Sequence, residues 1–65
     1  MRIGEFEENE VRNMRSDALN AIDALKAIAS ECESGYVSRR YLREKIDKAM
    51  YCVKYVSHVV HGGEE

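Results

Sequence analysis

The stretch Glu33-Ser34-Gly35-Tyr36-Val37-Ser38 decides the fold, because it is the one interruption between two long rows of apolar residues. Within each row the apolar residues follow one another at steps of three and four positions, which keeps them on one side of an α-helix. The sequence therefore predicts an all-α chain, a two-helix antiparallel hairpin. The rows are Val11, Met14, Ala18, Ala21, Leu25, Ile28 and Cys32, followed by Leu42, Ile46, Ala49, Val53, Val56 and Val60.

Capping residues mark the ends of both helices. We expect the first helix over residues 9–33, with Asn9 as its N-cap and Gly35 ending it in a left-handed conformation. Ser38 is a favourable N-cap for a second helix over residues 39–61, with a turn at 34–38 between the helices. Residues 62–65 form a frayed tail, so residues 1–65 make one helical-hairpin domain.

A chain of 65 residues is short for a self-sufficient core. Domains of this size bury only about 60% of their unfolded surface and commonly depend on disulfides, metals or oligomerisation. Cys32 and Cys52 lie about 18 Å apart along the predicted hairpin, which is too far for an intrachain disulfide. Two reduced thiols favour a cytoplasmic location.

The apolar arc of each helix is wider than one neighbouring helix can cover. We therefore expect two hairpins to associate as a homodimer and form a four-helix bundle, with the two apolar rows as the dimer seam and Cys32 as a small core residue. The orientation of the two hairpins stays open. The residues that widen the arc are Leu19, Ile22, Ala29, Met50, Cys52 and Val59.

Several functional classes find no support in the sequence. No apolar run approaches the roughly 20 residues of a membrane span. No Ser/His/Asp set, glycine-rich phosphate loop or carboxylate pair is visible, and a hairpin offers little concavity, so we expect neither an enzyme nor a cofactor site. His58 and His61 stand one helical turn apart, but no third ligand follows at a suitable spacing, so we expect no metal site.

A further row of polar and aromatic residues follows the second helix on the side away from the seam. Tyrosines on a nominally solvated face are typical anchors for protein partners, and they can also stack on nucleic-acid bases. The alternative is that they lie flat on the bundle with their hydroxyls in water. For a protein partner, we expect the contact residues to be Tyr41, Arg43, Lys48, Tyr51 and Tyr55.

Charge is distributed unevenly along the chain. Residues 1–10 carry one arginine against four glutamates, whereas residues 38–61 carry six lysines or arginines against two acidic residues. The basic second helix indicates an anionic partner; the alternative for the arginines at its start is a solvated face with Glu33 and Glu44 as local partners. In an antiparallel dimer, arginines of both helices could form one composite basic surface for nucleic acid: Arg12, Arg15, Arg39, Arg40 and Arg43.

The segment Arg12-Asn13-Met14-Arg15-Ser16, followed by Leu19, Ile22 and Leu25, resembles the middle of the first helix of the Rop family. Rop proteins are plasmid-encoded, RNA-binding helical hairpins that dimerise into four-helix bundles. The resemblance implies RNA binding by the first-helix face, on which Arg2 and Asn9 keep the chemical type of the family. Three positions depart from the family: Asn13 replaces an aromatic residue, Asp17 a neutral amide and Ala24 a lysine.

The turn Glu33-Ser34-Gly35 with the following Val37-Ser38 is similar to that of the small subunit of exonuclease VII, also a helical hairpin. In that family the next helix begins with acidic residues, whereas this one begins with Arg39 and Arg40. The sequence as a whole predicts a small non-enzymatic regulatory or adaptor protein that acts through protein contacts as a homodimeric bundle. The alternative is Rop-like RNA binding through the composite basic surface.

Overall fold

The computed structural model describes residues 1–62 and confirms an all-α hairpin. Helix α1 spans Glu8–Cys32 and helix α2 spans Arg39–His61. Two short strands precede them, β1 (Arg2–Ile3) and β2 (Phe6–Glu7), and pair antiparallel. The tail expected to fray lies outside the described residues from position 63 onwards.

The β-hairpin at the N-terminus was not expected from the sequence. Gly4 provides its reversal with a φ of 63°, a left-handed value that glycine adopts without steric cost. Arg2 closes the hairpin, because its guanidinium lies 3.1 Å from the Glu7 carboxylate and donates to the Glu5 carbonyl at 2.6 Å. Strands of two residues are too short to show the alternation by which a strand is recognised in a sequence.

The prediction of Asn9 as the N-cap of α1 is wrong. The β-hairpin delivers the chain directly into the helix, so the extended residue at its start is Glu7 (φ −73°, ψ 152°). The Glu7 N–H donates to the Glu10 carboxylate at 3.1 Å, a contact typical of a capping box. Asn9 lies inside the first turn of α1.

The turn between the helices is fastened by side chains and not by a left-handed glycine. Gly35 has no positive φ, so the conformation predicted for it is wrong. The Ser34 hydroxyl lies 2.7 Å from the carbonyl oxygens of both Glu31 and Tyr36, and the Glu31 carboxylate accepts the Ser38 N–H at 3.0 Å. These contacts satisfy backbone groups that a left-handed glycine would otherwise help to pair.

Ser38 caps α2 as predicted. The Tyr41 N–H donates to the Ser38 hydroxyl oxygen at 3.3 Å, and Ser38 itself is extended (φ −99°, ψ 122°). The Ser38 N–H donates to the Glu31 carboxylate, so Ser38 also links the start of α2 to the end of α1.

Among residues 1–62, only small side chains are buried. They are Ala21 and Ala24 on α1 and Ala49 and Cys52 on α2. The described chain measures 48 × 21 × 12 Å, and 12 Å is the diameter of a single helix with its side chains. The hairpin is therefore one layer thick, whereas domains generally have two packed layers.

Cys32 is exposed and Cys52 is buried, which reverses the expectation that Cys32 belongs to the core. Ala18 and Leu25, which precede Cys32 at steps of seven residues, are exposed as well. The residues one position earlier face α2 instead: Ala24 is buried, and the Glu31 carboxylate accepts the Ser38 N–H at the start of α2. Helix α1 is therefore rotated about its axis relative to the predicted seam.

Candidate protein-interaction surface

The expected dimer seam is divided by the structure into two faces. Seven of its members are buried or half-buried between α1 and α2: Val11, Met14, Ala21, Ile28, Leu42, Ala49 and Val56. The other members are exposed: Ala18, Leu25, Cys32, Ile46, Val53 and Val60. One hairpin thus buries one edge of the seam and leaves the other edge in water.

Exposed apolar residues of both helices lie on the same side of the hairpin, and we call them the apolar face. Three large members are half or more exposed: Leu25 at 50%, Met50 at 63% and Val53 at 53%. A shallow depression at the turn end lies against Ile28, Leu42 and Ile46, which places α1 and α2 residues on the same side of the hairpin. The apolar face consists of Ala18, Ile22 and Leu25 on α1 and Ile46, Met50 and Val53 on α2.

The two halves of the apolar face have the same spacing and stand at the same height. Each half has one step of four residues and one of three, which keeps its three members on one side of the helix. The hydrogen bond from the Ser38 N–H to Glu31, and the depression that Asp17 lines together with Tyr51 and Tyr55, fix which residues are level in the antiparallel pair. By that register, Ile22 is level with Met50.

The central members of this face, Ile22 and Met50, were considered only as flanking residues of the seam. The signal that could have found them is the spacing 18, 22, 25 and 46, 50, 53, which the two helices share. The sequence did not reveal it because the seam and the apolar face overlap in four of its six positions.

The predicted row of partner-contact residues is split by the structure. Tyr41 and Tyr55 are half-buried. The Lys45 ammonium lies 5.3 Å from the Tyr41 ring centroid, which is within cation–π range. Tyr51 is 79% exposed and Lys48 is also exposed, so these two remain accessible.

Tyr51 and Tyr55 border a depression on the side of the hairpin opposite to the apolar face. Its other lining residues are Asp17, Lys54 and His58. The mixture of two aromatic rings with one acidic and one basic side chain suits a polar peptide surface more than an apolar ligand.

The arginines proposed for nucleic acid lie at two ends of one hairpin. Arg39, Arg40 and Arg43 are exposed at the start of α2, and Arg39 and Arg43 border the depression at the turn end. Arg15 lies 16 residues before Glu31, about 24 Å along α1. A single chain therefore does not bring the five arginines together.

The turn-end arginines have no acidic partner within residues 1–62. The salt bridge in that part of the chain joins Arg2 to Glu7, and neither Glu33 nor Glu44 pairs with an arginine. The pairing of these arginines with Glu33 and Glu44, considered from the sequence, is therefore absent from residues 1–62. The positive charge of the arginines is exposed to solvent.

The histidines at the end of α2 make local contacts. His61 Nδ1 lies 2.9 Å from the Ser57 carbonyl oxygen and 3.3 Å from its hydroxyl. Across residues 1–62 no three His, Cys, Asp or Glu side chains are grouped so that they could hold a metal ion. In the same part of the chain, neither helix has the length and apolar character needed to cross a membrane.

Comparison of the chain with protein-family models, with curated proteins and with solved structures gives no match. The resemblance to Rop-like hairpins therefore stays a prediction from the sequence.

Proposed function

We propose that this chain is a small non-enzymatic regulatory or adaptor protein that acts through protein–protein contacts as a homodimeric four-helix bundle. The observation that carries the proposal is the apolar face, which the single layer of the hairpin leaves in water. A bundle of two hairpins supplies the second layer that a stable domain needs.

The energetics of one hairpin favour a partner. Its buried side chains within residues 1–62 are three alanines and one cysteine, which together remove little apolar surface from water. Complete burial of a Leu, Ile, Val or Met side chain contributes about 1.5–3 kcal/mol, and ordering each residue costs about 1–2 kcal/mol of backbone entropy. Covering the five large side chains of each apolar face supplies stabilisation that the alanine contact cannot.

A second protein would dock on the opposite side of the hairpin, which the bundle leaves free. Tyr51 is the most accessible aromatic residue there, and Tyr55 and Lys48 flank it. Tyrosine is enriched among the residues that dominate binding energy at interfaces. The exposed thiol of Cys32 and the unpaired thiol of Cys52 support a reducing compartment such as the cytoplasm.

The substitution Leu25→Asp tests the bundle. A carboxylate at position 25 of the apolar face loses its hydration when the second copy docks, so we expect the variant to be monomeric or unfolded. The control is Asn20→Asp, which adds the same charge on the same helix at an exposed position outside the apolar face. Size-exclusion chromatography with light scattering measures both; a dimeric, folded Leu25→Asp variant would remove the basis of the proposal.

RNA binding is the second candidate function. The observation that favours it is the exposed cluster of Arg39, Arg40 and Arg43, which has no ion-pair partner in the described residues. Guanidinium groups bind phosphate bidentately and need no pocket to do so.

A further inference from the structure

The apolar face can meet a second copy in two ways that both bury it. In the first, the two turns lie at the same end, and α1 of one copy faces α2 of the other. In the second, the two turns lie at opposite ends, α1 faces α1 and α2 faces α2. The first has a two-fold axis along the helices and the second has one across them.

Packing distinguishes the two arrangements. In the hairpin register, Ala18 is level with Val53, and Leu25 is level with Ile46. With the turns at the same end, one layer would contain two alanines and two valines and another would contain two leucines and two isoleucines. With the turns at opposite ends, each of these layers contains one of each residue, so large side chains face small ones and the layers have equal volume. Interiors pack at uniform density, which favours the second arrangement.

Charge points to the same arrangement. Arg39, Arg40 and Arg43 stand at the turn end, and residues 1–10 at the other end carry one arginine against four glutamates. Turns at the same end would place six arginines side by side. Turns at opposite ends instead bring the three arginines of one copy towards residues 1–15 of the other, where three arginines stand against four glutamates and the C-terminus of α2 carries the negative pole of its helix dipole.

The shape of the turn end agrees with this. The depression there is lined by Val37, Leu42 and Ile46 with Arg39 and Arg43 at its border. Two such depressions facing each other would leave a void. The second arrangement instead brings the exposed Val60 of the partner copy to this level, where its side chain can fill the depression.

We propose that two copies of this chain pack through their apolar faces with their turns at opposite ends, about a two-fold axis that crosses the helices at the level of Ile22 and Met50. The inference rests on the proposed homodimer and specifies its geometry. It also brings Arg12 and Arg15 of one copy to the turn end of the other, so the composite basic surface exists only in this orientation.

The native Cys32 provides a distance probe, because it is exposed and lies ten residues from Ile22. A nitroxide spin label is attached to Cys32 in a Cys52→Ala background, and the label–label distance is measured by double electron–electron resonance. Turns at opposite ends place the two Cys32 residues about 30 Å apart along the axis at 1.5 Å per residue. Turns at the same end place them at one height, within about 15 Å for helices about 10 Å apart.

The control label is Tyr51→Cys in a Cys32→Ser, Cys52→Ala background. Residue 51 is next to the proposed axis, so its pair distance has almost no axial part in either orientation and reports that the dimer has formed. A second turn label, Tyr36→Cys in the same background, lies farther from the axis than Cys32. It decides the orientation if labelling Cys32 disturbs the dimer.

A long distance at both turn positions in a particle of dimer mass supports the inference. A dimer mass with a short distance overturns the orientation and leaves the homodimer standing. A monomer mass for the unlabelled protein overturns the homodimer and the inference together, and directs the apolar face to a different protein.

Discussion

Alanine occupies three of the four buried positions within residues 1–62, namely Ala21, Ala24 and Ala49. Larger apolar side chains are at best half-buried, and Leu25, Met50 and Val53 are half or more exposed. Single polar side chains fix the turn: the Ser34 hydroxyl donates to the Glu31 carbonyl oxygen, and the Glu31 carboxylate accepts the Ser38 N–H. Residue size and local hydrogen bonding thus determine which surface remains exposed.

Two glycines offer a matched prediction at this scale. A Cβ at either Gly4 or Gly35 meets no heavy atom within 4 Å, but only Gly4 has a positive φ. We expect Gly4→Ala to destabilise the β-hairpin by about 1–2 kcal/mol, the cost of the left-handed conformation for an L-residue. Gly35→Ala should instead stabilise the protein by about 0.4–1 kcal/mol, because it restricts the unfolded chain.

Hydrogen exchange of the Glu8 amide reports the first effect, since that N–H donates to the Met1 carbonyl at 2.8 Å only when the hairpin is closed. Urea denaturation reports the second. Equal effects of the two substitutions would contradict the difference in backbone conformation.

Each helix begins at an identifiable cap. Helix α1 begins after Glu7, whose N–H is bound by Glu10, and α2 begins after Ser38, whose hydroxyl accepts the Tyr41 N–H. Glu8 and Glu10 also place negative charge at the positive pole of α1. The first turn of α2 contains no acidic residue, so its stability depends more heavily on the Ser38 cap.

We therefore predict that Ser38→Ala lowers the free energy of unfolding by about 0.5–2 kcal/mol. Ser38→Asp should retain most of the stability, because a carboxylate accepts the same N–H and suits the helix dipole. Ser16→Ala, at an exposed position inside α1, is the control and should be neutral or slightly stabilising. Urea denaturation at fixed protein concentration measures all three, and a Ser38→Ala variant as stable as the native protein would remove the role assigned to this cap.

At the scale of the whole molecule, assembly and nucleic-acid binding make different demands on the surface. The apolar face is uncharged, whereas the turn-end arginines are fully available to solvent. Binding to RNA phosphates would weaken steeply with salt, with the logarithm of the association constant falling by about 0.7–0.9 for each phosphate neutralised. A protein interface anchored by tyrosine depends much less on salt.

We predict that any RNA binding is abolished by Arg40→Glu combined with Arg43→Glu, while the dimer persists. The control is Lys26→Glu, which reverses a charge on an exposed α1 residue outside the five arginines. RNA titration monitored by fluorescence anisotropy at several salt concentrations measures the effect, and light scattering verifies the dimer. RNA binding that survives the double substitution would exclude the composite basic surface as its site.

The sequence by itself determined the two helices, the turn between them and the Ser38 cap. Each of these depends on contacts between residues close in the chain: apolar steps of three and four, and a hydroxyl three residues from the N–H that it accepts. The same local information failed at Asn9 and Gly35, because the β-hairpin and the Ser34 and Glu31 side chains supplied the terminal hydrogen bonds instead.

Only the tertiary structure decided which edge of the apolar seam the hairpin buries. The rotation of each helix about its axis depends on how its side chains pack against the other helix, and the side chains buried within residues 1–62 are Ala21, Ala24, Ala49 and Cys52. That rotation leaves Leu25, Met50, Val53 and Cys32 exposed to water and leaves Tyr41 and Tyr55 half-buried. These outcomes follow from packing between residues far apart in the chain, which no local pattern specifies.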